Sequence, residues 1–169
     1  EIKFDLNLIF TPVRREKTEY IIQKATELGV SEIYPILTER SVIKKLNYDR
    51  LHLIAKEAAE LSERISIPKI NSLVILEKVI NGWDCTRSIL YADETMKENI
   101  KLLPTMNKLK SNRGALLIGP EGGFSESEIT FLKSKEYVLP ISLGERILRA
   151  DTAAVVGLSY WHFLNSYNN

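Results

Sequence analysis

Residues 116–128 read Leu-Leu-Ile-Gly-Pro-Glu-Gly-Gly-Phe-Ser-Glu-Ser-Glu. An apolar strand-like run ends at Ile118, a glycine-rich turn follows, and Ser125 with Glu128 three residues on forms the signature that opens a helix. Gly119, Gly122 and Gly123 lack a Cβ, so a backbone there adopts positive φ and approaches a flat ligand closely, while Pro120 stiffens the turn. No Lys-Ser or Lys-Thr follows the glycines, so a nucleotide-triphosphate loop is not the reading. A tight strand-to-helix connection with no ligand is the plain alternative.

A second stretch, residues 141–154, reads Ile-Ser-Leu-Gly-Glu-Arg-Ile-Leu-Arg-Ala-Asp-Thr-Ala-Ala. A strand again gives way to a glycine and then to a helix. Ser142, Leu143 and Gly144 lead into Arg146 and Arg149, which flank Ile147 and Leu148, so one short loop offers apolar surface for a heterocycle and a guanidinium for an anion. Taken alone, this is also what a solvated charge beside core residues looks like.

The elements that must position these loops follow from periodicity. Ile2, Phe4, Leu6, Leu8 and Phe10 alternate with other residues at period two, predicting a half-buried strand that ends at Thr11-Pro12. Helical spacing of Ile21, Ala25 and Leu28 predicts a helix over 17–28 with Gly29 as its left-handed cap. A strand over 33–37 and a helix over 48–61, striped by Leu51, Ile54, Ala55, Ala58 and Leu61, repeat the unit. Further strands are expected over 88–92, 115–118 and 138–143, and helices near 73–80, 128–132 and 151–164. Alternating strands and helices predict an α/β fold, a mostly parallel sheet with helices on both faces. The final helix is apolar nearly all round, so it is expected to be deeply buried or to meet a second subunit on one side.

A chain of 169 residues with 44% hydrophobic residues supports one full core, so a single domain is expected over 1–169. The net charge of +1 does not mark a general nucleic-acid binder, and any RNA contact must come from a local patch. Cys85 is the sole cysteine and His52 and His162 are far apart, which excludes a disulfide framework and predicts no metal site. No apolar run approaches the roughly 18 to 20 residues of a membrane span and no secretion signal is visible, so a cytoplasmic setting is the expectation. The chain opens on Glu1 and passes at once into a strand pattern, as a piece of a longer chain would.

Together the Gly119-Pro120-Glu121-Gly122-Gly123 loop and the Leu143-Gly144-Glu145-Arg146-Ile147-Leu148-Arg149 segment, running into Thr152-Ala153-Ala154, resemble the signature segments of the SPOUT methyltransferases. They are most similar to those of the RsmE-type 16S rRNA uridine-N3 methyltransferase family. The resemblance continues through Gln23 to Val30, Glu39-Arg40-Ser41, and Glu57 to Arg64 followed by Pro68, and so covers essentially the whole chain. Two positions depart from it: Leu61 stands where the family usually has glutamine, and Ala150-Asp151 replaces a common Thr-Glu pair.

The resemblance implies a fold with a C-terminal trefoil knot, a homodimer, and S-adenosylmethionine as cofactor with S-adenosylhomocysteine as product. It implies methylation of N3 of a uridine in 16S rRNA of the small ribosomal subunit. It also implies an N-terminal PUA-like RNA-binding domain, for which this chain has no residues. The implied cofactor-binding residues are Ile118, Gly119, Pro120, Glu121, Gly122 and Gly123 from the first loop, with Ser142, Leu143, Gly144, Ile147, Leu148 and Arg149 from the second. Arg149 is the candidate for stabilising charge on the base; Glu121 is the nearest motif carboxylate, with loop capping or pairing to the sulfonium as its other roles. Phosphate contacts would fall to Arg14, Arg15, Lys17, Arg40, Lys44, Lys45 and Arg64, although Glu16, Glu19, Glu39 and Glu63 are also positioned to pair with them. A ribose 2′-O methyltransferase of the same fold and a non-catalytic RNA-binding protein are the alternatives. The first normally carries an Asn-containing segment where Leu143-Gly144-Glu145-Arg146 stands here.

Overall fold

The computed structural model describes residues 5–94, 96, 109 and 112–166, the last three of these through their backbone. Among these residues seven strands form: β1 (Leu6–Phe10), β2 (Glu32–Leu37), β3 (Lys69–Ile70), β4 (Val74–Ile75), β5 (Ser88–Ala92), β6 (Gly114–Ile118) and β7 (Val138–Ile141). Among the described residues the helices are α1 (Arg15–Glu27), α2 (Tyr48–Leu61), α3 (Leu76–Asn81), α4 (Glu126–Lys133) and α5 (Ala150–Ser166). The sheet runs β3-β2-β1-β6-β5-β7, with β4 paired to β2, and every pairing among these strands is parallel. The mostly parallel α/β architecture expected from the alternation of elements is therefore the observed one.

Covering the sheet on both faces follows from which side chains each strand turns up and down. Leu6, Leu8 and Phe10 join one core with Ile21, Ile22 and Ala25 of α1, Leu51, Ile54 and Ala55 of α2, and Ala154, Leu158 and Trp161 of α5. Ile9, Tyr91, Ala115 and Leu117 face a second core with Leu76, Val79 and Ile80 of α3 and Leu132 of α4. The expectation of a half-buried β1 is corrected by this arrangement. With β2 on one side and β6 on the other, all five of its residues are buried, and even Asn7 is only 1% exposed. Ile2 and Phe4, read as the start of that strand, lie outside the described residues.

Local signals act where expected. Gly29 has φ +78, and Val30 N donates to Ala25 O at 3.0 Å while Gly29 N donates to Thr26 O at 3.1 Å, closing α1 as a left-handed cap does. Asn47 caps α2 by accepting from Arg50 N. Two short strands, β3 and β4, were not expected, since two residues each leave no periodicity to read. The run over 138–143 leaves the sheet at Ile141, freeing Ser142 and Leu143 for the loop that follows.

Helix α5 sits against α1 and β6. Gly157 makes the approach possible, because a Cβ there would meet Leu116 at 2.7 Å. Ala153, Ala154, Leu158 and Trp161 are buried, but Phe163 is 59% exposed. Deep burial thus holds for one face of α5 and not for the other.

Candidate active site

The carboxyl ends of β5, β6 and β7 open onto one cavity of about 460 Å³. That is the edge of an open parallel sheet where ligands collect, and the size falls in the roughly 300 to 1,000 Å³ range of small-molecule sites. Ile118, Gly119, Pro120, Glu121 and Gly123 form one wall, and Ser142, Leu143, Gly144, Ile147, Leu148 and Arg149 form the facing one. Two stretches of chain about twenty residues apart in sequence are thereby brought face to face.

The first wall owes its shape to interactions the chain makes with itself. Gly123 has φ +72, a conformation most side chains avoid. Gly119 needs no positive φ; a Cβ there would strike the Phe124 ring at 2.9 Å, so it is the chain's own aromatic that demands glycine. Gly122 is placed by neither constraint and does not line the cavity. Its carbonyl instead accepts from Arg40 Nη1 at 2.6 Å.

Helix α4 begins directly after this loop with the capping box read from Ser125 and Glu128. Glu128 is 2% exposed; its Oε2 accepts from Ser125 N at 2.8 Å and its Oε1 from Glu39 N at 2.8 Å. The turn after β2 is thus fastened to the glycine-rich loop. Ser127 Oγ donates to Glu39 Oε1 at 2.6 Å, and hydrogen bonding from Ser127 and Ser125 holds the Glu39 carboxyl below the ordinary carboxylate range.

The second wall is looser. Gly144 has φ +122, and Ser142 Oγ accepts from Gly144 N at 3.3 Å. Leu143 and Leu148 pack on the core, whereas Ile147 is 74% exposed and presents bare apolar surface at the cavity. Arg149 O accepts from Ala153 N, so the residue opens α5; it lines the cavity, and among the described residues its side chain has no hydrogen bond or ion pair.

The cations expected to meet phosphate separate into three groups. Arg14, Lys17 and Arg40 line the cavity, with Lys17 Nζ 3.0 Å from Glu121 Oε1. Lys44 and Lys45 are exposed on the segment after β2, and Arg15 is exposed but bonded through Nε to Glu19 at 2.8 Å. Arg64 departs from the expectation. Its guanidinium donates to Thr26 O in the last turn of α1 at 2.6 Å and to Val30 O just past the helix cap at 3.0 Å, and burial lowers its pKa. A side chain committed to the end of a helix does not reach for phosphate.

Sequence reading missed the end of β5. Tyr91, Asp93, Glu94 and Met96 all line the cavity. Tyr91 Oη donates to Asp93 Oδ2 at 2.5 Å, and burial followed by that hydrogen bond pushes the phenol pKa up. The available signal was an acidic pair placed immediately after an apolar strand.

Comparison with known proteins agrees with this geometry. Residues 1–162 match the model of the RNA methyltransferase domain family. The ribosomal RNA small subunit methyltransferase E of Rickettsia conorii is 34% identical over 98% of the chain and 67% of its own length. The protein of the same name from Bacillus subtilis is 34% identical over 85% of the chain and 60% of its own length. A putative methyltransferase from Legionella pneumophila, solved in complex with the bound cofactor SAM, superposes with a TM-score of 0.81 at 30% identity over 95% of the chain and 66% of its own. The chain therefore spans about two thirds or less of these relatives. It belongs to the RNA methyltransferase domain family, and within it to the ribosomal RNA small subunit methyltransferase E group.

Proposed function

We propose that this chain is the catalytic domain of a cytoplasmic, homodimeric methyltransferase that moves the methyl group of S-adenosylmethionine to N3 of a uridine in 16S rRNA. The observation that carries the reading is the meeting of residues 118–123 and 142–149 around one cavity at the carboxyl edge of the sheet. The relatives named as small-subunit rRNA methyltransferases supply the substrate class. The knotted path of the C-terminal segment, implied by the family resemblance, is part of the proposal.

The walls suit such a donor. Leu143, Ile147 and Leu148 offer apolar surface to an adenine, and the side-chain-free Gly119 and Gly123 let the backbone approach it. Bound there, S-adenosylmethionine supplies a methyl already activated on a sulfonium, so the protein's part is placement and electrostatics.

Uridine N3 is a weak nucleophile until it loses its proton, after which negative charge spreads over the two flanking carbonyl oxygens. Arg149, at the cavity wall and without an ion pair among the described residues, is the cation for that charge. A fixed donor of this kind contributes about 3 kcal/mol in comparable oxyanion sites. Arg14, Arg40, Lys44 and Lys45 would meet the RNA backbone.

Incubating the chain with small-subunit rRNA and S-adenosylmethionine, then identifying the modified nucleoside by mass spectrometry, tests the reading. N3-methyluridine is the expected product, lost in Arg149→Ala while donor binding persists. A ribose 2′-O-methyl product would replace the proposed atom, and full turnover by Arg149→Ala would remove that residue from the chemistry.

A further inference from the structure

Strand β5 lies between β6 and β7, the two strands that carry the two facing loops. Its carboxyl end therefore enters the cavity midway between the glycine-rich wall and the apolar one. This end is firmly held. Asp93 is 6% exposed, its N donates to Ile141 O at 3.0 Å, its Oδ2 takes the Tyr91 hydroxyl, and its carbonyl accepts from Met96 N at 3.3 Å. The turn so formed presents the next residue, Glu94, to the cavity.

The carboxylate of Glu94 is turned toward the glycine-rich loop: a Cβ built on Gly123 would lie 2.5 Å from Glu94 Oε1. The other cavity carboxylates have different employment or position. Glu121 is paired with Lys17, Asp93 receives Tyr91, and Glu145 stands on the far loop beside Gly144. Among the described residues the Glu94 side chain has no hydrogen bond or ion pair. It is an acceptor-only group with two oxygens. Its chemical complement is a pair of adjacent O–H donors, and in dinucleotide-binding α/β folds a strand-end carboxylate near the glycine-rich turn takes a ribose hydroxyl in this way.

We propose that Glu94 binds the vicinal hydroxyls of the methyl donor's ribose, a specificity contact that rests on the methyl-donor reading above. It fixes the sugar between the two loops, with the adenine toward Leu143, Ile147 and Leu148. Gly123 is then glycine partly because this carboxylate occupies the space a side chain would need.

The test is calorimetric titration of the wild-type chain, Glu94→Gln and Glu145→Gln with S-adenosylhomocysteine and with its 2′-deoxy and 3′-deoxy counterparts. Wild type should prefer the ribose form by on the order of tenfold or more, the value of a hydrogen bond to a charged acceptor. Glu94→Gln should lose most of that preference while binding the deoxy forms as wild type does, and Glu145→Gln should keep it. Unchanged preference in Glu94→Gln, equal weakening of all three ligands, or loss of preference in Glu145→Gln instead would overturn the assignment. A wild-type chain that takes up none of the three would overturn the methyl-donor reading as well, which separates the two failures.

Discussion

Lys17 Nζ and Glu121 Oε1 stand 3.0 Å apart, tying the first turns of α1 to the glycine-rich loop across 104 residues of sequence. The pair is half-solvated, with Lys17 18% and Glu121 49% exposed, so its net contribution to stability is of the order of 1 kcal/mol or less. Its importance is positional, because Glu121 is held on the rim and away from a freely chosen role.

Glu121→Gln and Lys17→Ala are expected to act alike, each weakening donor binding a few-fold in calorimetry with little effect on the rate at saturation. If Glu121→Gln alone lowers the saturated rate by more than a hundredfold with affinity intact, the carboxylate is a proton acceptor and the anchoring role fails.

Glu128 accepts from two backbone donors at 2.8 Å, Ser125 N on Oε2 and Glu39 N on Oε1. Glu128→Ala leaves both without an acceptor, Ser125 N in a buried setting and Glu39 N in a part-buried one, and should destabilise the fold by about 2 kcal/mol. Urea unfolding measures this. A change under 0.5 kcal/mol, on the order of an ordinary surface substitution, would mean that water replaces the carboxylate there.

The two adjacent glycines should respond differently to alanine. Gly123→Ala meets both positive φ and the Glu94 carboxylate, and a cost of roughly 1 to 2 kcal/mol is expected from the backbone alone. At Gly122 a Cβ would lie 3.5 Å from Arg40 Cδ, an ordinary contact, so Gly122→Ala should stay within about 0.5 kcal/mol of wild type. Equal melting temperatures for the two variants would contradict the geometry.

Arg64 and the lysines after β2 should separate in RNA titrations. Lys44→Ala and Lys45→Ala are expected to reduce the salt slope of binding by about 1 each. Arg64→Ala should leave that slope alone and instead lower stability by about 1 to 3 kcal/mol, since the Thr26 and Val30 carbonyls lose a charged donor. A reduced slope with unaltered stability in Arg64→Ala would restore it to the RNA face.

Tyr34 supplies a pH dependence. Burial, then its 2.9 Å hydrogen bond to Glu32, raises its pKa from 10.0 to about 12. A group whose pKa is raised by folding contributes stability that is whole below the unfolded value and is lost as pH climbs through the folded one. The advantage in melting temperature of wild type over Tyr34→Phe should therefore hold up to pH 10 and disappear between pH 10 and 12. A constant difference across that window would show that folding does not perturb this phenol.

Long elements with many periods were legible in sequence. Helix α2 appears over the predicted 48–61 because several turns reinforce one another, and β5 over the predicted 88–92 because it is a continuous apolar run of strand length. The loops of the site were legible for a different reason: glycines beside Pro120 and Glu121, and the Ser125–Glu128 cap, are local chemistry that a short window contains. Two-residue strands contain no such repetition, and β3 and β4 went unread.

What could not be read was set by distance along the chain. Arg64 and Lys45 look alike as residues, yet one is drawn to carbonyls 34 and 38 positions away and the other stays exposed. Glu94 gained a place in the site only because parallel pairing lays β5 between β6 and β7. The sequence alone determined the α/β alternation, the two glycine-bearing turns and their chemistry, since those depend on neighbours a few residues apart. Tertiary structure decided which cations face the cavity, which carboxylates are already engaged and which glycines are sterically required. Those are properties of atoms that meet only when strands far apart in the chain pair side by side.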